Sequence, residues 1–192
     1  MHQTITEMTK SNKTLLIKIF VLAGLFLTFL IWLIPAFDIS NYQNEIYCLD
    51  VLSSYNVQIV SLLFNYLGND GMGEYRTFLL VDTFYLLIYG GLSFYTLRFL
   101  LANIGRLGNI LKYLIWLPIV LMLADLTENS LIFVLLYQFS NINENLVQIS
   151  SAVSTVKWFL AAVVVGSIIC LIFYGILRYI FWKLKSQSTN LP

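Results

Sequence analysis

Residues 113–137 read YLIWLPIVLMLADLTENSLIFVLLY, an apolar run of 25 residues broken only by Asp125, Thr127, Glu128, Asn129 and Ser130. A helix rises about 1.5 Å per residue and bilayer hydrocarbon is about 30 Å thick, so a span needs about 20 such residues. Three further runs meet that length: Leu15 to Phe37, Phe78 to Leu101, and Ser154 to Trp182. None alternates with a period of two, which argues against a barrel, and backbone in hydrocarbon must satisfy its own polar groups, so all four read as helices. The fold class that follows is all-α, an integral membrane four-helix bundle.

Composition agrees. Of 192 residues, 59% are hydrophobic and 11% charged, against about 25% charged in soluble chains. A formal net charge of +1 makes no electrostatic case for nucleic acid. His2 is the single histidine, and CxxC, HExxH, GxSxG and glycine-rich phosphate loops are all missing, so neither a metal nor a cofactor is expected. Cys48 falls in a loop and Cys170 within the fourth run, too far apart in depth to bridge.

Lys10, Lys13 and Lys18 precede the first run as in a signal peptide, but the run exceeds the usual 7–15 apolar residues and leaves through Trp32 and Pro35-Ala36-Phe37, so a retained span is expected. Orientation follows the cations. Lys10, Lys13, Lys18, Arg98, Arg106, Lys112, Arg178, Lys183 and Lys185 lie on one side, with only Arg76 and Lys157 on the other. Nine against two puts both termini in the cytoplasm. Trp32 and Trp158 then fall near the outer boundary, and Trp116 and Trp182 near the inner one.

The first extracytoplasmic segment, residues 38–76, is long enough to have structure of its own. Within it the apolar run Val57 to Leu67 follows Ser53-Ser54, an N-cap candidate, and stops at Gly68, a C-cap candidate. This predicts a short helix lying in the interface, or tucked against the bundle as a lid. Asn69-Asp70-Gly71-Met72-Gly73 reads as a flexible turn, Pro118 as a kink, and Ser186 to Pro192 as a disordered tail.

Ionisable side chains inside a span cost about 2.5–3.5 kcal/mol each on insertion scales and usually face the bundle interior. Asp82, Asp125 and Glu128 are such residues. Positions i, i+3 and i+4 share a helix face, so Asp125, Glu128 and Asn129 form one polar stripe, and Asp82, Tyr85 and Tyr89 another, with Gly90-Gly91 allowing close approach of a neighbour. Lys157 enters from the fourth helix at the same level. These seven residues form the candidate ligand-binding set, and catalytic roles are not assigned. Each also has a plainer reading: Lys157 pairs with Asp82 or Glu128 only to fix register, Asn129 bonds between helices, and the tyrosines pack. Ala162, Gly166 and Cys170 read as a packing seam. Three acids against one cation nonetheless leave a surplus, so a carboxyl is protonated or a cationic ligand or water enters.

Leu67-Gly68-x-x-Gly71 through Tyr75, Asp82 and Tyr89-Gly90, then Leu117-Pro118 and Ala124-Asp125-Leu126-Thr127-Glu128-Asn129, resembles a pattern of small four-span membrane proteins with no assigned activity. The likeness covers roughly the middle third of the chain and implies a site without naming a reaction. In architecture alone, four helices with a long first loop and acids in the second and third are similar to the EXPERA group of sterol isomerases and the sigma-2 receptor. The isomerases' intramembrane histidine has no counterpart here.

Three functional readings follow. The first is binding, or non-redox conversion, of a lipid or amphiphilic amine at the acids. The second is a structural or sensing subunit that assembles with its own copies, as a homo-oligomer, or with another membrane protein through the Ala162/Gly166/Cys170 seam. The third is proton-coupled transport, which four helices without a repeat support only as an oligomer.

Overall fold

The computed structural model describes residues 2–33 and 48–188. The expected end of the first span at Phe37, residues 38–47 of the loop and residues 189–192 of the tail lie outside them. The described residues are helical without strands: α1 (His2–Thr28, widening into a π-helical turn over Phe29–Leu33), α2 (Val57–Asn103), α3 (Arg106–Ile110), α4 (Leu117–Tyr137) and α5 (Glu144–Ser188). Four of them are long and apolar enough to cross a membrane, making the chain a multi-pass helical membrane bundle.

α2 begins at Val57, the first residue of the predicted short helix, and runs on through the predicted second span to Asn103. Its cap is Asn56, whose side chain accepts the Ile59 N–H at 3.0 Å, and not Ser53-Ser54. Gly68 breaks it with φ 61° and ψ −169°, a conformation that favours glycine. The expected turn at Asn69 to Gly73 is helix, because Gly71 and Met72 are buried against the bundle and that packing overrides turn propensity. The piece before Gly68 buries Val60, Leu63, Phe64 and Leu67, while Ile59, Leu62 and Tyr66 face outward.

Pro118 does not kink a helix. It opens α4, where its missing N–H would be unpaired anyway, and the preceding Lys112–Trp116 forms a tight 3-10 turn. Asn143 caps α5 by accepting the Leu146 N–H at 3.2 Å, which carries the fourth helix back ten residues from the predicted Ser154 to Glu144. At its other end α5 continues through Ser186 to Ser188, so the first residues of the predicted tail are helical, with no glycine or proline there to stop them.

α2, α4 and α5 pack on one another, and α1 packs chiefly on α2. Two apolar cores result. One gathers Leu49, Tyr55, Phe64, Tyr75, Leu79, Ile132, Leu135 and Val147; the other gathers Leu97, Leu101, Ile104 and Leu171. Since lipid is as apolar as leucine, burial alone specifies little between such helices, and polar contacts set their register. Those contacts form a layer between the two cores.

Candidate functional site: a layer of carboxyl groups around Lys157

The helix period delivers the layer. Leu79, Asp82, Leu86, Tyr89 and Gly90 share the face that α2 turns toward α4, and Gly90 lets Met122 lie against the α2 backbone: a Cβ there would meet the Met122 sulfur at 2.1 Å. Leu121, Asp125, Glu128 and Ile132 share the buried face of α4. Ser150, Ser154 and Lys157 share the face of α5 that meets them, all three buried.

Lys157 is the hub. Its Nζ ion-pairs with Glu128, lies 3.4 Å from Asp125 Oδ1 and donates to the Asp50 carbonyl at 2.6 Å. Asp125 Oδ2 accepts from the Tyr89 hydroxyl at 2.5 Å, and Asp82 Oδ2 accepts from Asn129 Nδ2 at 2.7 Å. Lys157, Glu128, Asp125 and Tyr89 are therefore joined directly or through one neighbour, and Asp82 with Asn129 forms a second pair beside them, Asn129 following Glu128 on α4. Tyr85 is not in this network. Its ring stacks on Phe26 and Phe29 of α1, with centroids 5.4 and 5.0 Å away, and meets Tyr89 edge-on.

The sequence reading missed a fourth acid. Asp50 sits in the one-turn helix Leu49–Val51, buried, its carboxylate accepting from the Tyr75 hydroxyl at 2.8 Å while that hydroxyl accepts the Leu49 N–H at 2.8 Å. Burial pushes the Asp50 carboxyl above its ordinary range, against the pull of the Lys157 charge and the Tyr75 hydrogen bond. Burial, with the Asp50 charge beside it, also pushes up the Cys48 thiol. No periodicity marks Asp50, whereas Ser150, Ser154 and Lys157 at i, i+4 and i+7 were a readable helix face.

Four acids, Asp50, Asp82, Asp125 and Glu128, thus lie around Lys157, and among the described residues it is the only cation ion-paired with any of them. Glu128 is fully buried, and Glu128 Oε1 and Asn129 Oδ1 have no hydrogen-bond donor. Ser154 stands beside Glu128, but its hydroxyl proton goes to the Leu52 carbonyl. The open positions are thus all acceptors. No cluster of metal-ligating side chains occurs among the described residues. A groove of about 480 Å³ between α4 and α5, lined by Val120, Leu123, Thr127, Ile149 and Val156, lies on the side of α4 turned away from Asp125 and carries no acid.

The expected Ala162/Gly166/Cys170 seam does not pack inside the chain: Ala162 and Cys170 are exposed, and Gly166 has nothing within 4 Å of where a Cβ would stand. Cys48 and Cys170 are both free thiols. Compared with protein-family models, curated proteins and solved structures, the chain matches none.

Proposed function

We propose that this protein binds, and in the fuller reading converts without redox chemistry, a lipid or amphiphilic molecule whose head carries N–H or O–H donors, an amphiphilic amine being the best fit. The observation that carries the reading is the acceptor-only character of the layer: one ammonium against four carboxyl groups, with Glu128 Oε1 and Asn129 Oδ1 lacking donors. Unpaired buried acceptors each forfeit about 1–3 kcal/mol, which a donor-bearing head recovers. Asp82, half-buried beside Asn129, is where such a head meets the layer from the bundle's flank. By the distribution of Lys and Arg, the termini face the cytoplasm and the Cys48–Tyr55 segment faces outward.

The test is native mass spectrometry of detergent-purified protein with dodecylamine as probe and co-purifying lipid as a second readout. Wild type should retain the amine, and Asp125→Asn and Glu128→Gln should lose it while keeping their helical content. Full retention in both variants would defeat the reading.

A second reading has its own observation: the open Ala162/Gly166/Cys170 line on α5 suits close approach of another helix, as in self-assembly. Gly166→Leu should then abolish the oligomer, and an unchanged monomeric wild type in mild detergent would dismiss it.

A further inference from the structure

Residues Cys48 to Tyr55 are held in place by the side chains of α5 more than by structure of their own. Ser151 accepts the Tyr55 N–H at 2.9 Å, Ser154 donates to the Leu52 carbonyl, Thr155 donates to the Ser53 carbonyl at 2.8 Å, and Lys157 donates to the Asp50 carbonyl at 2.6 Å. Together these contacts strap the segment across the end of the carboxyl layer. Of the four, only Lys157 also brings a charge to the acids, ion-pairing with Glu128 and Asp125.

An ammonium has three N–H donors. Those of Lys157 face three acceptors, Glu128, Asp125 and the Asp50 carbonyl. None is left over, so a group that moves the ammonium away from the carboxylates also draws it from the Asp50 carbonyl, one of the bonds that hold the strap. Tyr75 of α2 holds the strap from its other side, accepting the Leu49 N–H and donating to the Asp50 carboxylate. We propose that the Cys48–Tyr55 strap is a gate over the carboxyl layer and that Lys157 is its latch, released when a ligand cation takes its place beside Glu128 and Asp125. The release step rests on the cationic-head reading above; the latch itself does not.

The full chain carrying Cys170→Ser leaves Cys48, half-buried at the start of the strap, as its single thiol. Its reaction with a water-soluble maleimide in detergent reports strap opening. Lys157→Met should label about tenfold faster, the effect of losing one charged hydrogen bond from the closed form. Because Lys157→Met strands Glu128, the pair Lys157→Met/Glu128→Gln provides a charge-balanced second variant, and it should label faster as well. Dodecylammonium should speed labelling of the Lys157 protein in a saturable way, and dodecanol should not. Unchanged rates in both variants overturn the latch. Binding of dodecylammonium by native mass spectrometry without faster labelling overturns ligand-driven release, and leaves the acid-site reading standing. No binding at all overturns the acid-site reading and ligand-driven release together, whatever the variants do.

Discussion

Replacing Lys157 by methionine keeps the side chain's length and removes its charge, which isolates what the ammonium contributes. Glu128 is fully buried and the two side chains are at most 10% exposed, so solvent does little to screen the pair. Removing one member of such a pair leaves an uncompensated buried charge and costs about 3–5 kcal/mol. Changing Glu128 to glutamine at the same time removes that charge. What remains is the Asp50 carbonyl's lost donor and Asp125's weaker surroundings, about 1–3 kcal/mol. Asp125 has a separate 2.5 Å bond from Tyr89, which neither substitution touches. The double variant should therefore be more stable than Lys157→Met alone by about 2 kcal/mol, roughly a 30-fold shift in the folding equilibrium. Unfolding by sodium dodecyl sulfate in mixed micelles, followed by circular dichroism, measures it. A double variant that loses the sum of the two single losses would refute the idea that Lys157 and Glu128 act as one buried unit.

Two other predictions concern the two ends of the bundle. In the folded chain burial raises the Asp50 carboxyl, so the native state holds a proton that the unfolded chain releases; this share of stability is full below the ordinary value of 3.8 and is lost as the pH rises through the folded value. Asp50→Asn keeps an acceptor for Tyr75 without the ionisation, so it should gain on wild type as the pH rises from about 4 toward neutrality; an unfolding difference that ignores pH would contradict this. At the opposite end, a Cβ on Gly108 would stand 2.0 Å from the Leu101 carbonyl oxygen, whereas one on Gly73 meets nothing within 4 Å. Gly108→Ala should cost about 1–3 kcal/mol by forcing α3 off α2, and Gly73→Ala should be neutral or stabilising by about 0.5–1 kcal/mol; equal thermal shifts would contradict the geometry.

What the sequence made legible was whatever a helical period or a run length encodes. Run length identifies four long apolar helices, and the spacing of Asp125, Glu128 and Asn129 places them on one side of α4. Depth counting along the helices sets Lys157 level with Glu128. The strap escaped because Asp50 lies in an irregular segment where no period says which way a side chain faces, and because its partners come from α2 and α5, far away in sequence. Local propensity misled at Asn69 to Gly73, where turn-forming residues are packed into a helix, and at Pro118, which reads as an interruption until the 3-10 turn before it is seen to make it a beginning. Tyr85 belongs to the right face by spacing but lies at its margin, close enough to α1 for Phe26 and Phe29 to claim it.

α5 is 45 residues long, about 68 Å at the usual rise and more than twice the thickness of bilayer hydrocarbon. One stretch of this rod grips the strap and the acids through Ser150, Ser154 and Lys157; some 32 Å further along, its Arg178 guanidinium reaches the Asn103 carbonyl and lies against Gly105, where α2 hands over to α3. A single shaft fastened toward both ends of the bundle ties them together, so a tilt large enough to ease Lys157 out of the acids would load the α2–α3 corner as well.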